Sequence, residues 1–286
     1  MSDEQQILQA TPDEVASFAA GRTNDEHARR LYRDFAAQSP NGAYVARDAG
    51  TPVAIAIARA QEDEWFLSEL FVEPSFRGRG LALQLLKEVA RDAGDVARSG
   101  LIDPREPASL AFYLKLSVAL QTPVLRVAGP IPREEELARI AAGQHRFTTA
   151  ALDPEAFAGA LGSLDREVRG TARPRDHAYF AANAHGTAFF LQNEFVGYAY
   201  VWPSGRIGPL AAASATYLVQ LLGYALATLR TMAGASWCTA LVPGTNVRVM
   251  RALLKAGLTI EDVRIFASDA PMLDLSRYVG FHDLLF

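Results

Sequence analysis

A single cysteine, Cys238, in a chain of 286 residues leaves no partner for an intramolecular disulfide. The five histidines, His27, His145, His177, His185 and His282, are scattered, and no group of Cys and His has zinc-ligand spacing, so no metal site is expected. No uninterrupted apolar stretch is long enough to cross a bilayer. Met1-Ser2-Asp3-Glu4 begins an acidic, polar segment with no signal-like apolar core after it, so a soluble cytoplasmic protein without a membrane partner is expected. Long basic runs are missing too. The formal net charge is −4, and phosphate backbones are usually met by clustered cations, so nucleic acid is not an expected partner. What the chain has in quantity is apolar residues, 50% of the total, enough for one large core or two of ordinary domain size.

Thr11-Pro12-Asp13-Glu14 reads as a helix start, and the polar, alanine-rich residues to about Ala37 as one or two helices. The period then changes. Tyr44 to Arg47 and Val53 to Ile57 are strand-like runs joined by Asp48-Ala49-Gly50-Thr51-Pro52, the chemistry of a hairpin turn, and Trp65 to Val72 is the next apolar run. After it comes Arg77-Gly78-Arg79-Gly80-Leu81-Ala82. From there Leu81, Leu85, Leu86, Val89 and Ala93 recur at the spacing of one buried helical face, with Gly94 as a stop. A strand from about Ala97 to Ile102 and a helix from Pro107 to Leu116 complete a helix, hairpin, strand, loop, helix, strand, helix order.

Strand, glycine-rich turn and helix together read as a phosphate cradle, with a plain strand-to-helix connection as the alternative. Unpaired N–H groups at a helix N-terminus carry partial positive charge, and glycines let an anion approach the backbone closely. The run from Glu69 to Ala82 resembles the acetyl-CoA-binding signature of the GNAT acetyltransferase superfamily, Q/R-x-x-G-x-G/A, read here as Arg77, Gly80 and Ala82. Ala111 to Ser117 resembles that family's later helix with its Tyr-x-Lys-x-Gly ending; Glu106 stands for the usual Asn and Ser117 for the usual Gly.

The resemblance implies an acetyl-CoA-dependent N-acetyltransferase of the EC 2.3.1 type, with CoA as product and no metal. It implies backbone contacts from Phe71 and Val72 to the pantetheine arm, a pyrophosphate held by Arg77, Gly78, Arg79, Gly80, Leu81 and Ala82, and a further cofactor contact at Ser109. Tyr113 resembles the family's general acid. A tyrosine's reference pKa of about 10 lies near a thiol's, about 8.5, so protonating a departing thiolate is not steeply uphill. Glu69 is the candidate base: it interrupts an apolar run, two residues from both Leu67 and Phe71, and could take a proton from an incoming ammonium through water. A solvent-facing position on a half-buried strand is the alternative reading of Glu69, and packing is that of Tyr113.

The order of elements recurs. Phe189–Leu191 and Val196–Val201 form a hairpin through Gln192-Asn193-Glu194, Arg206–Leu210 follows, then a helix from about Ser214 to Leu229, a strand at Ser236–Val242 and a helix from Asn246 to Ala256. Matching Gly257 to Ser117 puts Leu253 at the place of Tyr113 and Asn246 at that of Glu106. Ile207-Gly208-Pro209-Leu210 leads into three alanines rather than paired glycines and arginines. The expected fold is therefore α/β, two tandem GNAT-like domains, each a central mixed β-sheet flanked by helices. Residues 1–130 form the catalytic domain, 131–145 a linker helix and 146–286 a degenerate copy. The expected acceptor is a primary amine of a small molecule, protein or peptide, and a homodimer is left open. A CoA-binding regulator without turnover and an interaction module built on the second copy stay open as functional classes.

Overall fold

Glu14 accepts a hydrogen bond from the Thr11 backbone N–H at 2.8 Å, and Thr11 Oγ1 accepts one from the Glu14 N–H at 3.3 Å. This reciprocal cap starts a helix, and the chain passes there from β1 (Gln5–Gln9) into α1 (Pro12–Ala20), followed by α2 (Glu26–Gln38). The computed structural model describes residues 5–20, 26–38, 40–232, 234–271 and 273–286. Ala49 and Gly50, at φ +46° and +82°, make the two-residue turn that joins β2 (Ala43–Asp48) to β3 (Thr51–Ala60). β4 (Glu64–Val72), α3 (Leu81–Val89) and β5 (Ala97–Ile102) follow. The expected helix from Leu81 stops at Val89 rather than Ala93, because the chain leaves the helix at Ala90 and Gly94 turns at φ +70°.

Neighbours β1, β2, β3 and β4 are antiparallel, and β4 pairs with β5 in parallel. Every residue of β3 from Val53 to Arg59 is buried, the mark of a central strand covered on both faces. α3 packs on β2, β3 and β4 through Leu81, Leu85 and Val89, all buried. Each such side chain stabilises by roughly 1.5–3 kcal/mol, so a polar residue at Leu85 would release this helix from the sheet.

The second set of elements is α4 (Pro107–Lys115), β6 (Ala119–Pro130), α5 (Glu134–Ala141), β7 (Thr148–Ala151), α6 (Ala158–Arg169), α7 (Pro174–Asn183), β8 (His185–Leu191), β9 (Glu194–Val201), β10 (Arg206–Ala212), α8 (Ala215–Thr231), β11 (Trp237–Pro243), α9 (Val247–Lys255), β12 (Thr259–Ser268) and β13 (Tyr278–Val279). Their strands run in the order β12-β6-β11-β10-β9-β8-β7, with β13 added to β10. α8 lies on β9 and β10, and α5 lies on α8. Leu218, Leu221, Leu222, Leu226 and Leu229 of α8 are buried in that core.

The repeat is visible in the backbone. Val118 N–H bonds to Tyr113 O at 3.1 Å across Ser117, at φ +62°, and Leu258 N–H bonds to Leu253 O at 3.1 Å across Gly257, at φ +91°. Both are the six-to-one bond that closes a helix over a left-handed residue. α4 and α9 therefore end in the same way, on the residues that the sequence alignment pairs.

Copies and packing units divide at different places. The repeat boundary is expected at 130, whereas by packing the chain divides into Met1–Gly100 and Leu101–Phe286. The reason is β6. It ends the first copy in sequence, but hydrogen-bonds on one edge to β11 and on the other to β12, both strands of the second copy.

Candidate functional site

Glu73 N–H donates to Val53 O at 2.9 Å, beyond the end of the β3–β4 ladder, and the register pairs Val72 with Ala54 and Phe71 with Ile55. Antiparallel strands alternate the direction of their peptide groups. Phe71 thus turns its peptide groups to β3, and those of Leu70 and Val72 face the opposite edge. This corrects the expectation that Phe71 and Val72 both offer backbone groups there: the outward pair is Leu70 and Val72. On that edge the ladder to β5 covers Glu64 to Leu67.

Between Leu67 and Glu69 the pairing slips by one residue, Ala58 facing Leu67 and Ile57 facing Glu69, which leaves Ser68 as a bulge. A bulge inverts the alternation of side chains. Trp65 points to α3, its Nε1–H donating to Val89 O at 3.2 Å, and Leu67 shares that face. Glu69 and Phe71 instead point to α1 and α2. Phe71 meets the Phe18 ring edge-on at 5.5 Å, and Tyr32 Oη donates to Glu69 Oε2 at 2.6 Å. Glu69 and Leu67, read from the sequence as one face, lie on opposite faces.

At the turn, Gly78 and Gly80 both have φ +80°, a conformation that side chains disfavour. A Cβ at Gly78 would meet nothing within 4 Å, and at Gly80 only Gln84 Nε2 at 3.8 Å, so a side chain at either place would stand in open space over the turn. The first intrahelical bond of α3 runs from Gln84 N–H to Gly80 O at 3.1 Å. The N–H groups of Leu81, Ala82 and Leu83 precede it and face the helix start. Arg77 and Arg79 fold back along the chain: Arg77 Nε donates to Val72 O at 3.2 Å, and Arg79 donates to Ser75 O at 3.1 Å and stacks on Phe76 at 4.6 Å. The groups that the turn itself presents at the helix start are thus backbone N–H groups. Such a turn suits a pyrophosphate.

Tyr113 and Ser109 lie one helical turn apart on α4, in the packing unit that begins at Leu101. Tyr113 is buried, with its ring 6.1 Å from that of Phe112; Ser109 is half-buried and its N–H bonds to Glu106 O at 2.9 Å. Sequence reasoning missed Tyr32, Leu70 and Ser68. Tyr32 sits 37 residues from its carboxylate partner in a segment legible only as helix, so no local pattern marks it.

The second copy closes the matching places. Ser214 caps α8, its Oγ accepting from Thr216 N–H at 3.3 Å where the first copy has Gly80. Between α6, α7 and β9, Asp165 accepts from Tyr198 Oη at 2.6 Å and from His177 Nε2 at 2.7 Å, with Tyr200 Oη 3.0 Å from His177 Nδ1 and Arg173 donating to Tyr198 Oη at 3.1 Å. All five residues are buried. Burial pushes the Asp165 carboxyl up, but the Arg173 charge and the hydrogen bonds from His177 and Tyr198 outweigh it and hold the group below the ordinary value. Burial also pushes the Tyr198 and Tyr200 hydroxyls up. Among the described residues no three His, Cys, Asp or Glu side chains are grouped to hold a metal, and no helix is long and apolar enough to cross a membrane.

Residues 9–117 match the model of the acetyltransferase (GNAT) family. No curated protein matches the chain in sequence. Among solved structures, an acetyltransferase candidate from Pyrococcus horikoshii is similar at 15% identity, over 100% of this chain and 97% of that one, with a TM-score of 0.74. A GCN5-related N-acetyltransferase from Sphaerobacter thermophilus is similar at 15% identity over 96% and 99%, with a TM-score of 0.64. A tandem GNAT protein from the clavulanic acid biosynthesis pathway is similar at 16% identity over 94% and 99%, with a TM-score of 0.59. At these identities the likeness is one of fold: α/β, mixed sheet and helices, two GNAT-like copies in tandem.

Proposed function

Residues 9–117 belong to the acetyltransferase (GNAT) family, and on that premise we propose that the chain moves an acetyl group from acetyl-CoA to a primary amine of a small molecule, protein or peptide. The observation that carries this reading is the turn at Gly78 and Gly80, where open space, positive φ and three N–H groups ahead of the helical ladder coincide. Acetyl-CoA would supply a thioester-activated acetyl group.

The residues divide the work. The N–H groups of Leu81, Ala82 and Leu83, with the turn before them, hold the pyrophosphate, and no side chain at Gly78 or Gly80 keeps it off the backbone. The outward peptide groups of Leu70 and the outward N–H of Val72, whose carbonyl takes Arg77 Nε, hold the amide-bearing arm as a short added strand would be held. Glu69 Oε1 or Oε2 receives the proton of the acceptor ammonium, directly or through water, and Tyr32 Oη orients that carboxylate. Tyr113 Oη gives a proton to the departing thiolate. The second copy, with Ser214 over its helix start, serves as scaffold for this reaction.

A panel of amines incubated with acetyl-CoA, with free CoA thiol detected and the product weighed by mass spectrometry, tests the proposal. Cys238 adds no background, being buried with its thiol pushed up to about 12 by that burial. Thiol release with one class of amine and a product heavier by one acetyl group is the expected result. Acetyl-CoA binding without release for any amine would contradict turnover and favour a CoA-binding regulator.

A further inference from the structure

The alignment that pairs Tyr113 with Leu253 also pairs Ala108 and Ala111 of α4 with Arg248 and Arg251 of α9. The second copy has thus lost the glycine turn and gained two arginines. With Lys255 they sit at i, i+3 and i+7, one face of α9, while Val249 and Leu253 are buried on the other. Arg139 of α5 faces the same space, a groove of about 600 Å³ between α5, α8 and α9.

Four cations in one groove repel one another unless acids are interleaved. Among the described residues, no carboxylate lies within 4.0 Å of Arg139, Arg248, Arg251 or Lys255, although ion pairs form elsewhere in the same unit, as at Arg264 and Arg277. The one acid on the wall, Glu136, accepts from the Arg133 N–H at 2.9 Å and so serves the start of its own helix. A second feature adds to the positive field. Asn246, at the N-cap of α9, makes no cap bond and donates instead to Tyr278 O at 3.2 Å, and the first bond of the ladder is Met250 N–H to Asn246 O at 3.1 Å. The N–H groups of Val247, Arg248 and Val249 therefore precede the ladder. The rest of the wall is apolar and shallow in side chain: Ala252 and Ala256 leave room, with Ile140 and Val219 opposite.

We propose that this groove binds a nucleoside di- or triphosphate. Arginine forks take phosphate oxygens in pairs, and a lysine adds a point charge. The volume lies within the range of small-ligand sites, and the apolar wall offers the nucleoside a surface that inorganic phosphate cannot use. This proposal does not rest on acetyl transfer by the first copy.

Calorimetric titration of the full chain with ADP, and separately with inorganic pyrophosphate, tests it. ADP should bind at micromolar concentration, at least tenfold more tightly than pyrophosphate, and more weakly as salt is raised. The double variant Arg248→Ala/Arg251→Ala should weaken ADP at least tenfold and keep its melting temperature, since both side chains are exposed. Ala252→Gln, which fills the groove without changing charge, should weaken ADP as well. Four results would overturn the assignment: no ADP binding at millimolar concentration, equal affinity in the double variant, pyrophosphate binding as tightly as ADP, or a single-stranded oligonucleotide binding more tightly than ADP through the same arginines. Binding lost in Gly80→Val but kept in the double variant would place ADP on the first copy and overturn it too.

Discussion

Tyr32 and Glu69 are joined across 37 residues by a 2.6 Å hydrogen bond, the tyrosine hydroxyl donating to the carboxylate on the face of β4 that α1 and α2 cover. The bond gives the candidate base one orientation, and it exists only because the bulge at Ser68 turns Glu69 away from Leu67. Glu69→Gln should lower kcat/KM for the amine roughly 10²- to 10⁴-fold. The loss should be largest at low pH, where the amine most needs deprotonating. Tyr32→Phe should cost about tenfold, and the double variant no more than Glu69→Gln alone, the non-additivity of residues that act as a unit. Independent, additive losses in a double-mutant cycle would remove Tyr32 from the mechanism.

Gly80→Val puts a β-branched residue at φ +80° and in the open space over the turn. The strain costs about 1–2 kcal/mol of stability. Acetyl-CoA affinity should fall at least roughly tenfold, which is about 1.4 kcal/mol, and calorimetry on the folded variant reads it. A substitution at Gly159, where a Cβ would meet nothing within 4 Å, should leave acetyl-CoA affinity unchanged.

The parts of this site that were legible in the sequence are those with a local period or a local turn. Leu81, Leu85 and Val89 mark α3, Ala49-Gly50 marks the hairpin, and the match of Ser117 to Gly257 marks the repeat down to its helix-closing bonds. The bulge at Ser68 was hidden because Trp65 to Leu67 and Leu70 to Val72 are apolar on both faces, so the slip of one residue leaves no break in the pattern. β6 carries Pro123, Gly129 and Pro130, residues that argue against a central strand, and only pairing with residues more than a hundred positions away places it between β11 and β12. β12 gives no strand signal because its first half, Thr259 to Arg264, is largely polar. Tyr32, a lone aromatic in a polar helix, gave no signal beyond that helix.

Asp165 anchors the buried network of the second copy. Its carboxyl is held below the ordinary value of 3.8 in the folded protein, so its contribution is fully present above that value and is lost as pH falls through the lower folded one. Asp165→Asn removes one of the two buried carboxylates that act on Arg173, the one paired with it at 3.5 Å, and should destabilise by about 3–5 kcal/mol in denaturant unfolding at neutral pH. Below about pH 3.8 the gap between wild type and variant should narrow. A gap that stays constant down through that window would show that the carboxylate charge is not what holds the network.

The central claim is that the protein turns over acetyl-CoA, with Tyr113 giving the proton to the departing thiolate, and Tyr113→Phe tests it most directly. The ring is buried on α4 and the turn at Gly78 and Gly80 is unchanged by the substitution, so acetyl-CoA affinity should stay within a few fold. Single-turnover kinetics should show the chemical step slowed roughly 10²- to 10⁴-fold. An unchanged chemical step in Tyr113→Phe would contradict the account and assign protonation of the thiolate to water or to the acceptor itself.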